Sequence, residues 1–306
     1  MRASHVVERL RGKGFDRILP NESDYRGLSL TKVAGTRLRI VAEWLVLSVV
    51  HARTMKARLA GTRAMHGADN GRPAVILATG PSLSSLDLDA LAGIRRNGGK
   101  VFAVNFYSES AISVLVRPDY YVLADPVFLA GWASHERARG VWDYILTDPS
   151  IIVFVPAHLD IDVLPEGLNL RFFNGLGLDG WSRNVTPLKA RGFLGITAYH
   201  AISIALFLGH DPVFTLGIDN DAFRSVRVTE SGQVVLGGHH AYSDDREYPL
   251  AGNSNQLPAM LEDYARLFAD LRLFDADRLI NLAPTTLITE YPSANMSVWL
   301  ASNDTP

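Results

Sequence analysis

The chain has 306 residues, 47% apolar and 20% charged, an ordinary globular composition for one large domain or two small ones. It holds no cysteine, which excludes a disulfide framework, a thiolate nucleophile and any cysteine-based zinc or iron–sulfur centre. A net charge of −2 hides an asymmetry: residues 1–63 carry 13 Lys/Arg against 5 Asp/Glu, whereas the rest carries 17 against 27. A body this acidic repels phosphates, so no nucleic-acid partner is expected.

In chain order, residues 1–35 show weak periodicity and read as a loose extension, polar enough that no signal peptide is expected. From Thr36 to Leu59 one long helix is expected, with Leu38, Val41, Leu45, Val49 and Ala52 at three- and four-residue spacing. Arg37, Arg39, Arg53, Lys56 and Arg58 flank this stripe. The helix either packs on the main body or lies along an anionic membrane surface through residues 36–59. It does not span a bilayer: the apolar stretch Ile40 to Val50 is 11 residues broken by Glu43, and a span takes roughly 20. A cytoplasmic protein, peripheral on the inner face of the membrane, is the expected setting. Residues 60–73, with Gly61, Gly67, Gly71 and Pro73, read as a linker. The expected organisation is therefore a basic extension over 1–70 and a catalytic domain over 71–306.

From residue 74 short β-rich runs alternate with helical patterns. Strands are expected at Ala74–Ala78, Val101–Asn105, Tyr120–Ala124, Ile151–Val155, Leu170–Phe173, Val213–Gly217 and Leu279–Leu282. Helices are expected near Ser84–Arg96, Ser108–Val116, Val127–Arg139, Gly195–Leu208 and Leu257–Leu271. The strands are continuous apolar runs, which suits burial on both faces. The alternation predicts an α/β fold, Rossmann-like and doubly wound, with a mostly parallel sheet, helices on both faces and an N-terminal helical extension. Ligands in such sheets bind beyond the carboxyl ends of the strands.

The residues after each strand are therefore the candidates. Thr79, Gly80, Pro81 and Ser82 form a strand-to-helix turn that suits either a phosphate or plain serine capping. Asn105 follows the second strand and can donate or accept. Asp125 follows the third and is expected to face the crevice or to cap a helix. Asp219 and Asp221 follow Val213–Gly217; they could hold a divalent cation, accept from ribose hydroxyls or make turns. The glycine-rich segment 231–255 reads as an irregular loop or lid carrying His239, His240 and Tyr242. Histidine is the usual general base near neutral pH, and adjacent histidines cannot both face one site. Nothing forms a Gly-x-Ser-x-Gly elbow.

Several of these segments, in one order over residues 74–290, about 70% of the chain, resemble bacterial sialyltransferases that decorate lipooligosaccharide. They are Gly80-Pro81-Ser82-Leu83, Val104-Asn105-Phe106-Tyr107, Tyr121–Pro126, Arg191–Thr197 running into Ala201–Gly209, Leu216-Gly217-Ile218-Asp219 and Ala283-Pro284-Thr285-Thr286-Leu287. The first, together with the Pro-Asp-Tyr-x-Val-x-x-Asp-Pro run Pro118–Pro126, also resembles the motility accessory factor group and archaeal 6-hydroxymethylpterin diphosphokinase-like proteins. The sialyltransferase resemblance implies a glycosyltransferase with a CMP-type nucleotide-sugar donor, a lid, no metal cofactor and a histidine base. The acceptor would be a surface glycan, a lipid-linked glycan or a protein, and the relatives' assembly implies a homo-oligomer. By position it implies nucleotide contacts from Gly80, Ser82 and Asn105 and a phosphate contact from Arg191. His239 or His240 would be the base, and Tyr242 or Tyr248 would hold the leaving phosphate. Gly195 and Thr286 belong to the matched segments and join the nucleotide-site candidates. Thr79 and Asp125 stand where that family has Asn. The diphosphokinase resemblance implies instead magnesium-dependent phosphoryl transfer with Asp219 and Asp221 as ligands. A non-catalytic nucleotide- or glycan-binding module is the third reading.

Overall fold

In the computed structural model, residues 30–128, 136–237, 240–241, 247–249 and 256–303 are described. The organising element is strand β1, Ala74–Leu77, all four residues of which are shielded from solvent. Its side chains alternate between two cores. Val75 and Leu77 face one with Leu91, Ile94 and Trp142. Ala74 and Ile76 face the other with Ala201, Ile202 and Ala205. A strand buried on both faces has no polar side to offer, which is why it reads as an unbroken apolar run.

Around β1 the chain adds β2 (Lys100–Val104), β3 (Tyr120–Val122), β4 (Ile152–Pro156) and β5 (Asn169–Phe173) on one side, and β6 (Val213–Leu216) and β10 (Leu279–Asn281) on the other. The order is β10-β6-β1-β2-β3-β4-β5 and every pairing is parallel. Each expected strand is present within one or two residues of its expected ends. The sheet is thus a doubly wound α/β sheet with helices on both faces. One face is covered by α3 (Leu88–Arg96), α5 (Glu136–Leu146) and α8 (Met296–Asn303), through Leu91, Trp142 and Met296. The other is covered by α6 (Thr197–Leu208) and the end of α7 (Gln256–Leu271). Ten of the twelve residues of α6 are buried, so it is apolar nearly all round. A short helix α4, Ile112–Leu115, links β2 to β3. The helix expected over Val127–Arg139 begins as a single 3-10 turn, Pro126–Phe128, and α5 starts at Glu136; 129–135 lie outside the described residues.

The N-terminal region departs from expectation at both ends. Helix α1 covers Leu30–Val50 and α2 covers Ala52–Ala64, with only His51 between them. The hydrogen bonds His51 N–H to Leu47 O and Met55 N–H to His51 O carry the ladder across that residue, at 3.0 and 2.8 Å. The expected linker is helical to Ala64. Beyond it the chain is tied to the end of α6: the N–H groups of Gly67, Asp69 and Gly71 donate to Phe207, Leu208 and Gly209. Its glycines make tight turns rather than a flexible tether.

Helix α2 closes the open edge of the sheet. Thr62 Oγ donates to Phe172 O at 2.6 Å and accepts from Phe172 N–H at 3.3 Å. Arg58 donates to the carbonyls of Ala157 and Leu159. An edge strand covered by a helix that takes up the backbone groups of Phe172 is a poorer template for aggregation.

The segment 231–255, expected as an irregular lid, carries two strands that form a sheet with one just before it. Val226–Val228 (β7), Val234–Gly237 (β8) and Glu247–Pro249 (β9) form a small antiparallel sheet, with Arg227 opposite Val235 and Leu236 opposite Tyr248. No helix among the described residues is long and apolar enough to cross a membrane.

Candidate functional site

The chain leaves β1 towards β2 on one side and later returns to β6 on the other. The turns after β1 and β6 therefore diverge from a common point, where doubly wound sheets open a crevice. These turns are zipped together. Ala78 N–H donates to Leu216 O at 2.8 Å, Gly80 N–H to Gly217 O at 2.9 Å, and Gly217 N–H to Ser82 Oγ at 2.9 Å. Asp219 completes the link by accepting the Ser82 N–H on Oδ2 at 3.0 Å.

That proximity dictates both glycines. A Cβ on Gly80 would lie 2.3 Å from Asp219 Oδ2 and 2.6 Å from Gly217 O. Gly217 has φ +78°, and a Cβ there would lie 2.4 Å from Ala78 O. The glycine signal in the turn is therefore a packing requirement that brings an aspartate over it.

Above the zipped turns lies an open cleft of about 230 Å³. It encloses less than the ~300 Å³ or more of a whole drug-sized ligand, so it takes one ring system and leaves the rest at its mouth. Thr79, Gly80, Pro81, Asn105, Asp219 and Asp221 line it, and His240 stands at its rim. Strain concentrates here. Among the described residues, Asn105 (φ 47°) and Asn220 (φ 51°) are the non-glycine residues with positive φ, and both line the cleft. Tyr121 holds Asn105 in place by donating its hydroxyl to the Asn105 carbonyl at 2.7 Å. Asn220 is held by its side-chain N–H to Tyr199 Oη, 2.8 Å away.

Two acceptors in the cleft lack partners: Asn105 Oδ1 and Asp219 Oδ1 are both buried and unbonded. Buried polar atoms are normally satisfied, so two orphans on residues that line one cleft point to where a ligand's donors would be taken up. The opposite need is met at α6. Its N-terminal residues Ile196, Thr197 and Ala198 line the cleft, and no side chain caps the helix. Helix N-termini offer unpaired N–H groups and partial positive charge to an anion. Tyr264 contributes a hydroxyl that stays protonated, because burial and then the charge of Asp221 push its pKa up. Asp221 also pairs with Arg224 at 3.4 Å. No lysine or arginine stands among the described residues lining the cleft.

His240 is brought here by its neighbour: Ala241 N–H donates to Thr79 O at 2.8 Å, tying the long excursion back to the β1 turn. His239 and Tyr242 lie outside the described residues, and Tyr248 falls in β9.

Five other expected site residues are engaged elsewhere. Ser82 does not line the cleft: its N–H donates to Asp219 and its Oγ accepts from Gly217 N–H, so it holds the turns together. Arg191 donates to Asp179 and to Phe193 O at 2.9 Å, a largely buried ion pair inside the 174–196 loop, and it does not line the cleft. Gly195 packs against that guanidinium, which leaves no room for a Cβ. Asp125 is exposed and accepts from Val127 N–H at 3.0 Å; it starts the turn after β3 rather than facing the crevice. Thr286 Oγ accepts from Asn281 and from Ile288 N–H, both at 3.0 Å, and so shapes the turn after β10. The sequence reading missed Ile196, Thr197, Asn220 and Tyr264. Asn220 was legible from the Asp-Asn-Asp run, and Thr197 from its place at the start of an apolar helix. Tyr264 on α7 carries no such signal.

No protein-family model matches the chain, and no curated protein matches it. The solved structure of MAf glycosyltransferase from Magnetospirillum magneticum AMB-1 is similar over 82% of this chain, at 12% identity and a TM-score of 0.46. This chain spans 40% of the length of that one.

Proposed function

We propose that the protein is a glycosyltransferase that binds a nucleotide-sugar in the cleft between the β1 and β6 turns. The observation that carries this reading is the pairing of the orphaned acceptors Asn105 Oδ1 and Asp219 Oδ1 with the uncapped N-terminus of α6 across the same cleft. A nucleotide needs both. Its ribose hydroxyls or exocyclic amine donate, and its phosphate accepts. The Gly80, Asn105 and Asp219 segments are also those that resemble sialyltransferases, which favours a CMP-type donor and a sialic or other nonulosonic acid. A surface glycan, a lipid-linked glycan or a protein is the acceptor.

In the reaction an acceptor hydroxyl attacks the anomeric carbon as the bond from that carbon to the phosphate oxygen breaks. His240, at the rim, takes the hydroxyl proton. The nucleotide leaves with the bonding electron pair, and the α6 N-terminus and the Tyr264 hydroxyl meet its charge. Arg191 has no part in this because Asp179 already holds it.

A second reading has a specific observation behind it. Asp219 and Asp221 share a cleft that has no lysine or arginine among its described lining residues. This suits a magnesium–nucleotide complex and phosphoryl transfer. Thermal unfolding with CMP, CDP, UDP, GDP and ATP, each with and without magnesium, separates the two. A ligand at about 100 times its Kd adds about 2.7 kcal/mol. A magnesium-independent rise with CMP supports the transferase. A rise only with ATP and magnesium assigns the cleft to phosphoryl transfer. No rise with any nucleotide overturns both. A His240→Gln protein that binds CMP and transfers sugar at the wild-type rate would remove His240 as the base.

A further inference from the structure

Helix α1 has two apolar faces, and among the described residues only one of them is covered. Trp44 and Leu47 pack with Met55 and Leu59 of α2 onto Ala157 and Leu176, which follow β4 and β5. The outward face carries Leu38, Leu45, Val46, Val49 and Val50, with exposures running from 50% at Leu45 to 76% at Val49. Five large aliphatic residues on one helix face are more than the scattered exposed leucine of an ordinary surface. The ladder continues through His51, so the same face runs on into α2, where its exposed residues include Arg53 and Lys56. Val49 and Arg53 share an i, i+4 row, as do Ala52 and Lys56.

We propose that this face of α1, continued by the basic residues of α2, seats the protein on an anionic lipid surface. The charge pattern decides the occupant. Residues 30–64 carry seven Lys/Arg and one acid, Glu43, whereas residues 65–306 carry 17 against 27. An anionic surface attracts the first set and repels the second, so it takes the molecule in one orientation. A second copy meeting the same face would bring two such basic segments together. The helix lies along the surface and does not cross it, because it is too short in apolar length to span. It also docks on residues that follow β4 and β5, the end of the sheet at which the cleft opens. A seated molecule therefore keeps the cleft's end near the lipid.

Flotation of the full chain with phosphatidylcholine vesicles, with and without phosphatidylglycerol, tests this at low and high salt. The expected result is flotation with the phosphatidylglycerol vesicles alone, weakening as salt rises. Each of Arg53→Gln and Lys56→Gln should weaken partitioning about fivefold. The double variant Val46→Asp/Val49→Asp should weaken it at least about tenfold. Both valines are exposed, so circular dichroism and thermal unfolding should match wild type and show that the variant folds. Wild-type protein that floats with neither vesicle, or a double variant that floats like wild type, overturns the proposal. So does equal flotation with and without phosphatidylglycerol. Light scattering that finds a lipid-free dimer, dissolved by the double variant, assigns the face to a second copy and overturns it as well.

Discussion

Asp219 Oδ2 accepts the Ser82 backbone N–H at 3.0 Å and so fastens the turn after β6 to the turn after β1, while its Oδ1 stays buried and unbonded in the cleft. One carboxylate thus supports the scaffold with one oxygen and offers the other to a ligand. Asp219→Asn keeps the shape and an acceptor for Ser82 but removes the charged acceptor from the cleft. A hydrogen bond to a charged group contributes about 1.5–3 kcal/mol, so nucleotide affinity by calorimetry should fall about tenfold or more. An unchanged Kd would take Asp219 out of the binding site.

The glycines of the two turns can be tested against a glycine that packs on nothing. Gly217 and Gly232 have nearly equal φ, +78° and +79°, but a Cβ meets Ala78 O at 2.4 Å in the first case and open space in the second. Gly232→Ala therefore carries only the conformational cost, about 1 kcal/mol. Gly217→Ala must also part the zipped turns, so it should lose at least about 1–3 kcal/mol more, together with nucleotide binding. Urea unfolding of the two variants gives the difference directly. Equal losses would mean that the turns separate freely.

Arg191 carries a prediction opposite in sense to that of a phosphate ligand. Its partner Asp179 and the Phe193 carbonyl occupy it, and both side chains of the pair are largely buried. Arg191→Met takes the guanidinium away from the largely buried Asp179 carboxylate, and removing one member of such a pair costs about 2–4 kcal/mol, somewhat less than for a fully buried pair. Nucleotide affinity should stay within about twofold, since the guanidinium does not reach the cleft. Intact stability with a large loss of affinity would return Arg191 to the phosphate.

The sheet was legible because strands buried on both faces leave an unbroken apolar run, as in Ala74–Leu77 and Val213–Leu216. The place of the cleft was legible because the strand order sends the connections from β1 and β6 to opposite sides of the sheet, and a crevice opens beyond the strand ends at that point. What sequence could not show is which polar residue is already engaged. Asp125 and Asp219 both follow apolar strands, yet one caps Val127 and the other spans 137 residues to Ser82. Arg191 reads as a free cation until the loop folds Asp179 onto it. The small sheet β7–β9 escaped notice because its strands are three or four residues long and set among glycines, too short for alternation to register.

Acid should weaken the fold well before the carboxylates titrate, and His200 offers a handle on the cause. Its ring lies against Phe173 and Phe193, with centroids 4.4 and 5.3 Å apart, and it is fully enclosed on α6. Burial, and then the charge of Arg191, hold its pKa well below the ordinary value. Burial lowers His158 and His210 in the same direction. Above about pH 6.5 neither folded nor unfolded chain protonates these rings, and they contribute nothing to the pH dependence. Below it the unfolded chain takes up protons that the folded chain refuses. Each ring then lowers stability by about 1.4 kcal/mol per pH unit until the folded pKa is reached. His200→Phe keeps a ring of similar shape between the two phenylalanines and removes one titrating site. Urea unfolding at about pH 7.5 and about pH 5.5 should show the variant losing less stability than wild type, by about 1.4 kcal/mol for the one full unit below pH 6.5. Parallel losses in the two proteins would mean that His200 takes up its proton in the folded state as readily as in the unfolded one, and that the enclosure of its ring against Phe173 and Phe193 opens in acid.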